Sequence, residues 1–540
     1  MRSVRVRRRA AVIFIACAMF AVLAVTPSAS ADSYVPVSGA GSTWSQNAID
    51  QWRRDVQQYG MRINYAGNGS SQGRRQFLDG TVDFAASDIP FQFHPEDGSP
   101  PESPAPGSYA YMPVTAGGTV FMYNLSIAGQ RVTNLRLSGD NVTKIFTGVI
   151  TNWNDPALAA DNPGLALPAK AIVPVVRSDG SGSTAQFSAW MINQHGDLWN
   201  AYCHQTGRSA CGQTSYYPTL PGMIAQAGDL GVAGYVAQSY ADGAIGYVNY
   251  SYALNAGFPV VKVLNASGYY TEPTPDAVAV SLLQAQINTD ASSEDYLTQK
   301  LDGVYTDPDP RTYPLSSYSY MILPTVVQGQ FSEAKGKTLG AFSYYAMCQG
   351  QQESGSLGYS PMPINLVQAS FDQIRKIPGV VVQNITVKDC NNPTFSPDGT
   401  NLLADNAPFP PDCDKQGPVQ CETGTGGAHD QSTPTSNGGG GSGAGGPGGN
   451  AAAASGDPTQ SALATGDTVC DADTGECTAA GGTAGGNGST GQARALPQTI
   501  AATSGWGATQ TLMLLAVLLT LGLVLAPGIT SRYLASRKPR

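Results

Sequence analysis

Histidine is scarce in this 540-residue chain: only His94, His195, His204 and His429 occur, and no two cysteines stand in C-x-x-C spacing. A zinc centre draws its ligands from such clusters, so a metal site is poorly supported, and no motif asks for a cofactor. Basic blocks are missing outside the two ends, and the formal net charge is −9. Nucleic-acid binding needs a positive face and is disfavoured. A serine hydrolase is disfavoured too, because "SDGSGST" is neither G-x-S-x-G nor followed by a plausible histidine partner. "GQFSEAKGKT" (Gly329 to Thr338) resembles a phosphate-binding P-loop only superficially, since its first glycine stands seven residues before Gly336 rather than five.

Long apolar runs are confined to the termini. Arg2, Arg5, Arg7, Arg8 and Arg9 precede the apolar stretch Ala10 to Val25, and Ala29-Ser30-Ala31 suits cleavage, so residues 1–31 read as an export signal. Cys17 lies within that stretch, but Phe14 stands where a lipid-attachment signal needs an aliphatic residue. The other eight cysteines are an even number in an exported chain, which favours disulfides. Spacing suggests, without fixing, the pairs Cys203–Cys211, Cys413–Cys421 and Cys470–Cys477, leaving Cys348 for Cys390. Near the other end, "TLMLLAVLLTLGLVLAPGI" (Thr511 to Ile529) carries no charge and is followed by Arg532, Arg537, Lys538 and Arg540. Residues 507–531 therefore read as a membrane anchor with a basic cytoplasmic tail at 532–540. "LPQTI" (Leu496 to Ile500) departs from a sortase signal at Ile500, where glycine is required.

Between these ends, Tyr34 to about Gly379 has globular composition, enough for two lobes. Extended apolar runs ("GTVFMYNLSI", "AIVPVVRS", "AIGYVNYSY") alternate with helix-like segments ("TWSQNAIDQWRRDVQQYG", "STAQFSAWMINQ"), and Trp44, Ile49, Trp52 and Val56 fall near one helical face. The class is α/β. The Pro-rich stretch His94 to Ser108 reads as a surface loop. Residues 380–421 form a cysteine-containing tail, and 422–506 collapse to Gly, Ala, Ser and Thr, a disordered linker with a root-mean-square span of roughly 50 Å.

Three glycine/hydroxyl clusters each precede a helix pattern: "SGAGSTWSQNAIDQW" (Ser38 to Trp52), "AGNGSSQGRRQFLDG" (Ala66 to Gly80) and "VVRSDGSGSTAQFSAWM" (Val175 to Met191). Glycine lets backbone approach a ligand, hydroxyls donate, and a helix start adds unpaired N–H groups and partial positive charge. One such cluster is usually a turn and a cap. Three, with Arg177 beside the last, point to a small oxyanion. A fourth stretch, "TVDFAASDIPF" (Thr81 to Phe91), ends a strand in Ser87-Asp88. A carboxylate facing an anion makes sense when the anion carries a proton, as hydrogen phosphate does and sulfate does not. The plainer reading of Asp88 is a cap before Pro90.

"SGAGSTW", "GNGSSQG", "VDFAASD" and "RSDGSGST", in this order, resemble the motifs of the phosphate-binding-protein family of high-affinity phosphate ABC transporters, the PstS family. "NVTKIFTGVITNWNDPAL" (Asn141 to Leu158), "NPGLALP" (Asn162 to Pro168) and "GAIGYVNYSYA" (Gly243 to Ala253) match as well, so the resemblance spans roughly Val35 to Gly379. It implies a two-lobed periplasmic-binding-protein type II fold. Lobe one would take about 34–109 and 318–379 and lobe two about 110–317, with crossings near Ala110 to Val114 and Tyr318 to Leu323. It implies phosphate contacts from the Thr43 hydroxyl, the Trp44 N–H (the family usually has Phe there) and Ser70, with Asp88 accepting the phosphate proton. Arg177 would supply the cation, held by Asp179, and Ser181, Gly182 and Ser183 would complete the cage; Ser183 stands where Thr is commoner. The implied partners are inorganic phosphate, the permease and ATPase of an ABC transporter, and the membrane through the C-terminal helix. A surface sensor or reservoir is the alternative use of the same binding.

Overall fold

The computed structural model describes residues 34–436, except 391, 397 and 398, together with two short strands, Thr468–Cys470 and Cys477–Ala479. The expected export signal, most of the linker, the span at 507–531 and the basic tail lie outside the described residues. Among the described residues no helix is long and apolar enough to cross a membrane. The chain divides into two units, up to residue 443 and from 444 onward. In the second, the two short strands pair antiparallel with Cys470 opposite Cys477.

The first unit is built on an eight-stranded sheet. Its strands are β1 (Val37–Gly41), β2 (Ile63–Gly67), β3 (Phe84–Ser87), β4 (Tyr109–Tyr123), β5 (Val173–Arg177), β6 (Ile224–Gln226), β7 (Ala244–Asn249) and β8 (Ser316–Pro324), in the order β2-β1-β3-β8-β4-β7-β5-β6. Two parallel groups, β2-β1-β3 and β7-β5-β6, flank the long antiparallel pair β8 and β4. Helices follow the parallel strands, as α/β connections require: α1 (Gln46–Asp55), α2 (Ser70–Leu78), α3 (Gly182–Gln205) and α4 (Gly228–Val236). This is the expected α/β, periplasmic-binding-protein-like architecture.

β4 joins the groups. It pairs with β8 from Tyr109 to Gly118 and with β7 from Thr119 to Tyr123. The expected crossings at Ala110 to Val114 and Tyr318 to Leu323 fall on these two strands, but the change of partner comes later on the first, at Gly118–Thr119. Pro113 interrupts the first strand ahead of that point. It cannot donate to the ladder, and the register shifts there, leaving Val114 without an opposite residue on β8. The break at 113–114 is a bulge inside one pairing.

Packing departs from periodicity in a second place. Ala48, Ile49 and Trp52 bury one face of α1, with Val56 just beyond it, but Trp44 precedes the helix. Its indole N–H donates to Thr119 Oγ1 at 3.1 Å, and its carbonyl accepts from the Tyr359 hydroxyl at 2.6 Å. Gly336 and Thr338 lie inside helix α5 (Glu333–Met347), so the P-loop resemblance has no loop behind it.

The tail is part of the body. Disulfides join Cys203 to Cys211, Cys348 to Cys390 and Cys413 to Cys421. The buried Arg136 guanidinium donates to the carbonyls of Asp161 (2.5 Å), Cys413 (3.1 Å), Gly417 (2.9 Å) and Val419 (2.9 Å). Lys262 pairs with Asp414 at 2.6 Å. Residues 422–436, expected to begin the linker, are docked: Thr425 is buried, and its hydroxyl donates to the Val260 carbonyl (2.5 Å) with the Thr133 carbonyl also in reach (3.1 Å). Composition misjudged this stretch because it docks through polar backbone, with little apolar surface.

Arg136→Ala is expected to destabilise the chain by about 3 kcal/mol or more, since it strands several buried carbonyls. Hydrogen exchange should then show faster exchange over Cys413 to Gln420. Unchanged protection there would separate the tail from Arg136.

Candidate functional site

The carboxyl ends of the parallel strands in both groups point toward one another, and each delivers a loop and a helix start. From the first group, β1 leads to Ser42 and Thr43, β2 to Ser70 at the start of α2, and β3 to Asp88. From the second, β5 leads to Arg177, Asp179 and Ser181, which caps α3, and β6 leads to Asp229 in the first turn of α4. The residues expected at the site converge here, with Trp44, expected to contribute through its backbone N–H, directly after Thr43 and its side chain in the core behind.

Arg177 is 2% exposed and held by two carboxylates. Asp179 takes Nε at 2.7 Å and Nη2 at 2.5 Å, while Asp229 takes Nη1 at 2.5 Å. Burial alone would lower the arginine pKa, but Asp229 and Asp179 outweigh it and the net shift is upward. Asp179 also accepts the Gly228 N–H at 2.9 Å; burial opposes its ionisation, yet the bonds from Arg177 hold it below its ordinary value.

Across the cleft, Asp88 accepts the hydroxyls of Ser42 (2.6 Å) and Ser70 (3.1 Å). Gly182 lies directly against it: a Cβ at Gly182 would stand 2.5 Å from Asp88 Oδ2 and 2.6 Å from Ser70 Oγ. Only glycine lets the start of α3 come this close to the carboxylate. Beside it the Ser183 hydroxyl, 1% exposed, has no hydrogen-bond partner among the described residues. Ser181 accepts the Thr184 N–H in a helix cap. The groups also meet through the Ser71 N–H on the Gly180 carbonyl (3.1 Å) and the Gln186 amide on the Asp88 carbonyl (2.8 Å).

The His94–Ser108 insertion adds a polar strap beside the site. Glu102 holds Arg74 of α2 at 2.8 Å, while Asp97 accepts the Thr214 hydroxyl at 2.6 Å. The next residue, Ser215, accepts the Ser181 N–H at 2.9 Å. The expected surface loop thus touches both strand groups.

Residues 26–349 match the family model described as a PBP superfamily domain. The phosphate-binding protein PstS of Xylella fastidiosa (strain Temecula1 / ATCC 700964) is 32% identical over 345 residues, covering 63% of this chain and 85% of the relative. This chain belongs to the PstS family. The PstS of Pasteurella multocida (strain Pm70) is 29% identical over 355 residues, 65% of this chain and 91% of the relative. A solved phosphate-binding protein from Stenotrophomonas maltophilia aligns with a TM-score of 0.45 at 20% identity, over 62% of this chain and 92% of that one.

Two site residues of this PstS-family chain escaped the sequence motifs. Ser42 lies inside the motif "SGAGSTW", where the expected donor is its neighbour Thr43. Asp229 had no motif; its only signal is an acidic residue in the first turn of a helix that follows a strand, a common cap. It is fully buried, accepts the Thr43 hydroxyl at 2.5 Å and the Asn249 N–H at 2.7 Å, and so ties the two groups together. Thr43 therefore spends its proton on Asp229 in this geometry.

Asp88 has its pKa raised from 3.8 to about 6: burial is the main cause, the Ser42 hydroxyl pulls it back, and the Asp229 charge adds to it. A carboxyl raised on folding gives stability that is complete below its unfolded value and lost as pH climbs through its folded one. Ionised Asp88 thus costs the fold about 3 kcal/mol at neutral pH. Without added phosphate, Asp88→Asn is expected to raise the melting temperature at about pH 7, with the gain vanishing near pH 4. An equal effect at both pH values would mean that Asp88 titrates normally.

Proposed function

We propose that this chain captures inorganic phosphate between its two strand groups on the extracytoplasmic side of the membrane and delivers it to an ABC transporter. The single observation that carries the reading is Asp88. A buried carboxylate stands against the amino end of α3, within reach of Arg177's helix-capping loop, where any bound anion would gather its donors. Repulsion makes that placement hostile to a fully ionised oxyanion, whereas a protonated one turns the carboxylate into a hydrogen-bond acceptor. The relatives named above are phosphate-binding proteins by name.

In this reading Arg177 supplies the charge-assisted bonds, with Asp179 fixing its plane. Ser70, Ser181, Gly182 and Ser183 donate hydroxyl and backbone hydrogens, and Ser183 brings a hydroxyl with no competing partner. Thr43 donates once it turns from Asp229, since a hydroxyl proton rotates freely. The Trp44 N–H completes the cage. Ligand binding stabilises the closed arrangement of two lobes hinged at β4 and β8, by contacts drawn from both sides. Export by residues 1–31, the linker beyond 436 and an apolar anchor at 507–531 would keep the binder near a permease and its ATPase, raising the local concentration of the loaded form.

Calorimetric titration of the full-length chain in detergent tests this. Phosphate should bind with micromolar or tighter affinity, since several charge-assisted bonds contribute roughly 1.5–3 kcal/mol each, and sulfate should bind at least about a hundredfold more weakly. Asp88→Asn is expected to narrow that ratio to about tenfold or less, because the repulsion is gone. Arg177→Gln should abolish measurable binding. Equal affinity for sulfate and phosphate in the unaltered chain would sink the reading.

A further inference from the structure

The site holds more carboxylates than it has use for in gripping an anion. Asp179 and Asp229 hold the cation Arg177, and a third carboxylate, Asp88, sits with the Ser42 and Ser70 hydroxyls and is within electrostatic reach of Asp229. Asp179 is accounted for: both of its oxygens serve Arg177, and one also takes the Gly228 N–H. Asp229 is different. Its Oδ1 accepts the Asn249 N–H, but its Oδ2 lies between Arg177 Nη1 and the Thr43 hydroxyl, the two groups assigned above to the ligand. A fully buried carboxylate is costly to keep in a wall meant for anions, and arginine was already paired by Asp179.

The groups facing Asp229 can be named element by element. β5 and its loop bring Arg177 and Asp179; the loop after β1 brings Thr43; β3 leads to Asp88. The end of β7 gives the Asn249 N–H, and the helix Tyr250–Ala256 gives Tyr252, whose hydroxyl donates to the Thr43 carbonyl at 2.6 Å. Tyr359 approaches from the segment preceding α6 (Ile364–Ile374), and Tyr247 touches Arg177 through its hydroxyl. Burial pushes all three tyrosines upward, so they stay neutral. With Asp88 ionised, three carboxylates stand around the site against the one arginine and the partial positive charge of the helix starts.

Resting on the phosphate reading, we propose that Asp229 is a second proton-reading carboxylate, so that this site takes dihydrogen phosphate in preference to hydrogen phosphate. The singly charged ion brings two O–H donors. One meets Asp88, and the other meets Asp229 Oδ2 when Thr43 rotates its hydroxyl away from that oxygen and onto the ion. The doubly charged ion has one proton for two carboxylates and adds its extra charge to a wall already holding three carboxylates. In a desolvated site that repulsion is weakly screened. Asp88 alone would reject sulfate while admitting both protonation states of phosphate; the second carboxylate separates them.

Calorimetry of the full-length chain with inorganic phosphate, at constant ionic strength from about pH 7 to about pH 8.5, reads this directly, in a range above the Asp88 pKa of about 6. The apparent dissociation constant for total phosphate should rise about tenfold over the last pH unit as the dihydrogen form is depleted. Repeating the titration at the upper pH in buffers of different ionisation enthalpy should show close to one proton taken up per ion bound. Asp229→Asn should flatten the rise to within about threefold and abolish the uptake. A flat profile in the unaltered chain overturns the proposal, even should the variant fail to fold. So does an unchanged slope in a folded Asp229→Asn chain. No phosphate binding at any pH would instead refute the phosphate reading itself.

Discussion

The pairing of Arg177 with Asp179 and Asp229 is the constraint around which the rest of the cleft is arranged. A guanidinium this deeply buried is tolerable only when its donors are met, and two carboxylates from successive strand ends meet them. Fixing those carboxylates fixes the loops that carry them. Asp179 seats the turn leading into α3, and Asp229 seats the first turn of α4 while reaching Thr43 on the opposite strand group. The parallel sheet makes this possible, because every parallel strand opens its loop at the same edge.

An acidic protein can therefore hold an anion site without a basic surface. The net charge of −9 governs behaviour far from the cleft, where solvent screens it. Inside, the relevant charges are few and close: one arginine, the partial charges at the start of α3, and hydroxyls that donate without adding net charge. In the proposed reading, selectivity comes from the carboxylates. A carboxylate repels an anion that brings no proton, and a site made only of donors could not do that.

Much of this was legible in the sequence, for a definite reason. Ser70, Asp88, Arg177, Asp179 and the Ser181–Ser183 turn sit in short motifs where glycine, hydroxyl and charge occur side by side, so local chemistry announces them. Asp229 was not legible. Its role arises from Thr43 and Arg177, which chain topology brings to it from distant segments, and nothing in "AQAGDLGVAGYV" distinguishes it from a cap. Helical spacing puts Trp44 on the face of α1, whereas Thr119 and Tyr359 fix it ahead of the helix. The docking of residues 422–436 was missed because hydropathy does not register a segment held by carbonyls, Thr425 and Arg136.

The strap formed by the Pro-rich insertion has a consequence for timing. Asp97 grips the loop whose Ser215 supports Ser181, while Glu102 is fastened to α2 on the far side, so any separation of the two halves must first release a polar clasp that touches no cargo. Such a clasp favours the closed arrangement without contacting the ion, so it acts on affinity and release together. Substitutions at Asp97 or Glu102 alter the grip between the halves and leave Asp88 and Arg177 as they stand.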